Sequence, residues 1–220
     1  MTKFLTQTGL ILLFIAASLP ANAQFNINTN PFWEGEIKLL DGSVISGFVQ
    51  PPNIAAQRKV SYKATKKGAT EHIERKGIAS IRVTSENGNS YFYDNLPIGS
   101  IKKDKVSKKR YLLLAQARNN FVTFYVMSTY KVDNRNGTID LVAKYIQGKD
   151  IPTFSYYMSK ADKTDAKLYY MTSQLGGIKN NAELHFAEDP ELVRKIKNKE
   201  LKGSDIVEII QHFLTTTENM

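Results

Sequence analysis

"EGEIKLLDGSVISGFVQPP", residues 34–52, carries three glycines, Gly35, Gly42 and Gly47, among apolar and charged residues. Such a stretch is either a loop that cradles a phosphate or two strands and a turn. Ile37 and Leu39 alternate with Glu36 and Lys38, and "SVISGFV" follows, rich in β-branched residues. Between them stands Asp41-Gly42, a dipeptide suited to a tight hairpin turn whose central residues both take positive φ. A phosphate loop needs Gly-x-x-x-x-Gly-Lys-Ser/Thr, or Gly-x-Gly-x-x-Gly, opening onto a helix. Neither motif occurs, and a strand rather than a helix follows the turn. The stretch therefore reads as a β-hairpin, with Gly35 and Gly47 as bulge or close-packing positions on its strands.

The same pattern extends outward. "RKVSYKA" (58–64) alternates Val60 and Tyr62 with Ser61 and Lys63, and Lys67-Gly68 gives a turn before "TEHIE". "IASIRVTSENGNSYFYD" holds Asn87-Gly88 between two β-rich runs, a second hairpin signal. Residues 34–94 thus read as about six short strands, which a small antiparallel barrel or curled sheet would close to hide its edges. The basic run at 102–110 marks a connection. Beyond it, residues 111–175 read as a second antiparallel β region. There Phe121, Thr123, Tyr125 and Met127 share one face and Val122, Phe124 and Val126 the other, so this strand is covered on both sides.

The period changes in the tail, 176–220. Ile178, Ala182 and Phe186 recur every four residues. Asp189-Pro190-Glu191 gives an N-cap with Pro at the first helical position, and Leu192, Val193 and Ile196 follow on one face. Gly203 stops that helix and Ser204 caps the next, where Ile206, Ile210 and Phe213, with Val207 and Leu214, form a stripe. The expected fold is α+β and mainly β: a hairpin region over 24–101, a basic connection over 102–110, a second β region over 111–175, and two or three C-terminal helices.

The opening "MTKFLTQTGLILLFIAASLPANAQ" has Lys3 in an n-region, a short apolar core from Leu10 to Leu19, and "ANA" at 21–23 as a small-x-small cleavage site. It reads as a secretory signal peptide over 1–23, leaving Gln24 first and no transmembrane segment in the mature chain. The chain has no cysteine. That excludes thiol catalysis, thiolate metal sites and disulfides, and fits a bacterial envelope protein, periplasmic or extracellular, that relies on its core.

The formal net charge is +9. "KKDKVSKKR" (102–110) gathers Lys102, Lys103, Lys105, Lys108, Lys109 and Arg110 around one Asp. Such a run is solvated and contacts polyanions weakly. It has no interleaved aromatic residue, so a specific nucleic-acid groove is not expected. Adjacent aromatics at Tyr91-Phe92-Tyr93, Tyr156-Tyr157 and Tyr169-Tyr170 face opposite ways on strands, leaving one of each set to hold a sugar or a partner unless a second layer covers it.

The signal peptide, the G-x-I-x-x-x-D-G-x-x-x-x-G hairpin (Gly35, Ile37, Asp41, Gly42, Gly47), the β region and the Asp189–Leu192 helix start together resemble exported β-rich proteins of Gram-negative bacteria that have no known activity. The resemblance covers most of the chain after residue 23, through generic motifs. It implies no catalytic or binding residue.

Searches for chemistry find little. The histidines are His72, His185 and His212. Glu208 and His212 have a chelating spacing but lack a second histidine, and His72 with Glu74 is equally incomplete, so these read as surface residues. The serine elbow Gly-x-Ser-x-Gly is absent. No catalytic, metal or cofactor residues are assigned. The sequence points to a non-enzymatic envelope module that binds a protein, a glycan or an anionic surface. The alternative is a hydrolase of an envelope or extracellular polymer acting through carboxylates that carry no motif.

Overall fold

The computed structural model describes residues 31–100, 103–146, 149–172 and 177–220. The expected signal peptide and Lys102 lie outside the described residues. The chain forms β1 (Trp33–Leu39), β2 (Val44–Val49), β3 (Lys59–Lys63), β4 (Glu71–Glu74), β5 (Ile78–Thr84), β6 (Ser90–Ser100), β7 (Lys103–Arg118) and β8 (Val122–Met127). A hairpin of β9 (Thr129–Asp133) and β10 (Thr138–Val142) follows, then a second of β11 (Lys144–Ile146) and β12 (Lys149–Thr153). β13 (Ser155–Lys160) and β14 (Ala166–Met171) complete the strands, before α1 (Gly177–His185), α2 (Pro190–Lys197) and α3 (Ile206–Thr216). Among the described residues, no helix is long and apolar enough to cross a membrane.

Ten strands join in one sheet, in the order β14-β13-β8-β7-β6-β5-β1-β2-β3-β4, and β14 also pairs with β6. That parallel contact, Ala166–Leu168 against Ile98–Ser100, closes β6, β7, β8, β13 and β14 into a five-stranded barrel. The remaining strands curl away from β6 as the N-terminal sheet. β6 therefore belongs to both parts. Cross-strand register assigns its faces, because directly opposed residues point the same way. Ile37, Ile81, Tyr93 and Leu114 are aligned toward the core of the curled sheet. Asp94 aligns with Leu113, and Tyr125 with Ala115 and Tyr157, toward the barrel interior. This double coverage explains why three successive residues, Leu112, Leu113 and Leu114, are all buried.

Both expected hairpins form, with a different turn. Gly42 N donates to Leu39 O at 3.1 Å and Leu39 N to Ser43 O at 2.8 Å. Gly88 N likewise donates to Ser85 O and Ser85 N to Asn89 O, each at 2.9 Å. These are three-residue loops, in which a tight turn ends in a left-handed glycine. Only the glycines take positive φ, +90° at Gly42 and +83° at Gly88. Asp41 instead accepts from Ser43 N at 2.9 Å, and this side-chain bond fixes the turn in place of a second left-handed residue. Gly35 and Gly47 face each other across β1 and β2. A Cβ on Gly35 would sit 2.4 Å from Arg82 O, and one on Gly47 2.4 Å from Lys63 O. These two residues leave room for the close approach of the neighbouring backbone.

The basic run is not a connection. Its residues 103–110 are the first half of β7, and the ten-stranded sheet runs through them from the N-terminal strands into the barrel. Val106 pairs with Gly99 and Arg110 with Pro97, so β7 carries extra residues between them, and Lys109 N donates to Ser107 Oγ at 3.0 Å. This bulge turns Lys108 and Lys109 out to water, which satisfies the cost of burying cations without interrupting the strand.

The helices cover the outer face of β8, β13 and β14. Val122, Phe124, Met158 and Tyr169 pack there against Ile178, Phe186, Leu192, Ile196, Ile209 and Phe213. Asp189 caps α2, accepting from Leu192 N at 2.9 Å. The stop after α2 is Lys199, at φ 63°, rather than Gly203. Asp205, not Ser204, makes the next cap bond, accepting from Lys202 N at 2.8 Å. The expected stripe packs on the sheet through Ile206, Ile210, Phe213 and Leu214, and Val207 alone of it turns outward. Ile209, Ile210 and Phe213 are buried, whereas Val207 is 66% exposed. Asn119 locks α3 to the β7–β8 hairpin: its amide donates to Leu214 O at 2.9 Å, and its oxygen accepts from Phe121 N and Val122 N. The tyrosine sets divide as strand geometry requires. Tyr93, Tyr157 and Tyr169 are buried. Their neighbours Tyr156 and Tyr170 are half covered, and their rings stack at 5.9 Å.

Candidate functional site at the open end of the barrel

β14 begins at Ala166, opposite Ile98, so Asp94 and Leu96 of β6 have no β14 neighbour. The barrel is open there. A groove of about 410 Å³ lies along the gap, bounded by Asp94 and Leu96, by Thr123 and Tyr125 of β8, by Ser159 and Lys160 of β13, and by Lys163 of the β13–β14 turn. Lys38, Ser80 and Arg110 line its outer lip. Register explains their meeting, since Lys38, Ser80 and Asp94 stand in one row across β1, β5 and β6.

Within the groove, the Tyr125 hydroxyl donates to Asp94 Oδ2 at 2.8 Å. Burial, and then the neighbouring Asp94 charge, hold the Tyr125 phenol well above its ordinary range. It stays a donor at any physiological pH, and Asp94 is its acceptor. Four cations surround this pair. Lys160 is paired with Glu188, and Lys163 with Asp162 at 2.6 Å. Lys38 and Arg110 have no carboxylate partner among the described residues. Arg110 Nε donates to Asn95 O at 2.8 Å, which anchors the side chain at the lip. The groove thus offers fixed hydroxyl groups inside and unneutralised positive charge at its rim. That combination attracts an anionic group and orients it by hydrogen bonds.

Of the six cations read from the basic run, Arg110 lines the groove. Lys108 and Lys109 are exposed on the β7 bulge, and Lys103 and Lys105 stand earlier on β7. Sequence reading missed Lys38, Asp94, Tyr125, Lys160 and Lys163. They come from four separate places in the chain, and only the strand order joins them.

The histidines separate. His72 is exposed on β4. His212 is not a free surface residue, since its Nε2 lies 3.3 Å from Oδ2 of the buried Asp189, which also accepts from Thr216 Oγ1 at 2.7 Å. This contact ties α3 to the start of α2. His185 is buried. Among the described residues, no group of three or more His, Asp or Glu side chains is placed to hold a metal. A shallower groove crosses the outside of β1, β2 and β5, where Glu36 pairs with Arg82 at 3.1 Å beside Glu34. Both partners are about half exposed, so this pair is screened by water and contributes little.

The chain matches no protein-family model, no curated protein and no solved structure.

Proposed function

We propose that the protein is a non-enzymatic binding module of the bacterial envelope, exported by its N-terminal segment, which holds a phosphate- or carboxylate-bearing glycan at the open end of its barrel. The observation that carries this reading is the lip of Lys38 and Arg110, two cations without carboxylate partners among the described residues, set around the hydroxyl-lined groove. A hydrolase working through paired carboxylates needs two acids about 5–9.5 Å apart across the substrate bond. The groove presents one, Asp94, already engaged by Tyr125.

The test is titration of lipopolysaccharide and of heparin at about 50 mM and about 150 mM salt. Lys38→Gln combined with Arg110→Gln should abolish binding at the higher salt, with the melting curve checked for each variant. Lys108→Gln combined with Lys109→Gln should leave it intact. The reverse ranking would mean that the exposed bulge collects polyanions non-specifically and that the groove is not a site.

A further inference from the structure

A second cavity lies behind the same turn, with about 210 Å³ of space. It shares Ser159, Lys160 and Lys163 with the groove, but neither Lys38 nor Arg110 lines it. Its apolar walls are Met158, which is buried, and Leu184, which is 52% exposed at the entrance. Its inner wall is His185, on the last turn of α1 and only 1% exposed. Among the described residues, neither ring nitrogen of His185 has a hydrogen-bond partner. Its ring packs edge-on to Tyr169 at 6.0 Å. Buried polar atoms are nearly always satisfied, and leaving one bare is costly. A buried imidazole facing a cavity with both nitrogens bare takes its partner from that cavity, either water or a ligand that displaces it.

The surroundings define the ligand. Burial, and then the charge of Lys160, depress His185 to a pKa of about 4. It is therefore neutral at physiological pH, with one N–H to donate and one lone pair. The cavity's lysines are each matched by an acid: Lys160 by Glu188, Lys163 by Asp162, and Lys167 by Asp165 at 3.0 Å. With the lysines already paired and the Asp165 carboxylate in the lining, each added negative charge is costly, so a dianion is disfavoured and a single carboxylate relies on the His185 N–H. An apolar cavity of about 150 Å³ accepts benzene, so the space here suits a body of similar size carrying a small head.

We propose that this cavity binds a small monocarboxylate with an apolar body, aromatic or short aliphatic. The body lies against Met158 and Leu184, and a carboxylate oxygen accepts from the His185 N–H beside Lys160 and Lys163. This site shares Lys160 and Lys163 with the glycan groove but does not depend on Lys38 or Arg110.

The full-length chain, labelled with ¹⁵N-histidine, is titrated with benzoate and with benzamide. His185→Phe identifies the His185 resonances by their loss. Benzoate should shift the His185 ring nitrogens, leave His72 unmoved, and bind at least about tenfold more tightly than benzamide. Leu184→Trp, at an exposed position that leaves the core intact, should weaken benzoate at least about tenfold by filling the entrance. Lys38→Gln with Arg110→Gln should not change it. The proposal is overturned if His185 does not respond, if benzamide binds equally, if Leu184→Trp binds as the parent does, or if the lip variant removes benzoate binding.

Discussion

Tyr125 and Asp94 meet at 2.8 Å across β7, joining the third strand of the barrel sequence to the first through their side chains. Tyr125 is 3% exposed, so its hydroxyl has little recourse to water. Tyr125→Phe should cost about 1–3 kcal/mol, because Asp94 would lose a charged hydrogen bond in a partly buried place. Chemical denaturation followed by the fluorescence of the single tryptophan, Trp33, measures this directly. A Tyr125→Phe protein as stable as the parent would show that water already serves Asp94.

The glycine pair of the first hairpin gives a ranking. Gly35→Ala and Gly47→Ala each force a Cβ to 2.4 Å from a backbone carbonyl oxygen. Backbone cannot rotate out of the way, so each should fall toward the upper end of the roughly 1–3 kcal/mol cost of overpacking. Gly42→Ala meets open space but must hold φ at +90°, which should cost only about 1 kcal/mol. Thermal melts of the three variants test the order, and equal shifts would contradict the crowding at Gly35 and Gly47.

Phe213 is fully buried and meets Phe186 at 5.1 Å and Phe124 at 6.1 Å, both edge-on. Phe213→Ala should lower stability by about 3–5 kcal/mol. Val207→Ala, on the exposed side of the same helix, should change it by less than about 0.5 kcal/mol. Comparable losses at the two positions would mean that α3 packs through another face.

His185 ties stability to pH. Free histidine takes a proton near pH 6.5, while in the folded protein burial delays this to about pH 4. Between these values the unfolded chain binds the proton and the folded chain does not. Stability is complete above about pH 6.5, falls as the pH drops toward 4, and then levels, for a total of about 3 kcal/mol. The carboxylates add their own slopes, so the measurement is the difference between the parent and His185→Phe over that range. The variant should be the flatter of the two, and parallel curves would place His185 in contact with water.

Local features were legible in the sequence and distant ones were not. Asp41-Gly42 and Asn87-Gly88 carry their turn chemistry within four residues, and Asp189-Pro190 announces its own cap. The basic run was misjudged because charge density argues for exposure but says nothing against a strand, and a bulge supplies exposure within β7. The packing stripe of α3 was legible at Ile206, Ile210, Phe213 and Leu214, but its start was not, because Lys199 and Asp205, rather than Gly203 and Ser204, make the stop and the cap. The groove was illegible apart from Arg110, because the parallel pairing of β14 with β6 leaves no local mark. His185 gave no signal in the sequence for the same reason: its cavity exists only once β13, β14 and α1 are assembled.

That parallel closure also bears on how the chain folds. Hairpins such as β1–β2 can zip within microseconds, yet β14 must find β6 from far along the sequence, and the entropy of closing that loop is lost before any barrel contact repays it. The curled sheet and β6–β8 can form early, but β6 then keeps an unpaired stretch, Ile98–Ser100, until β13 and β14 arrive. During that interval β6 is an edge able to pair with the same segment of another molecule. A chain emerging from its N-terminus during synthesis presents this edge before its covering strand, so the slowest folding phase and the tendency to misassemble should both trace to the register of Ala166 on Ile98.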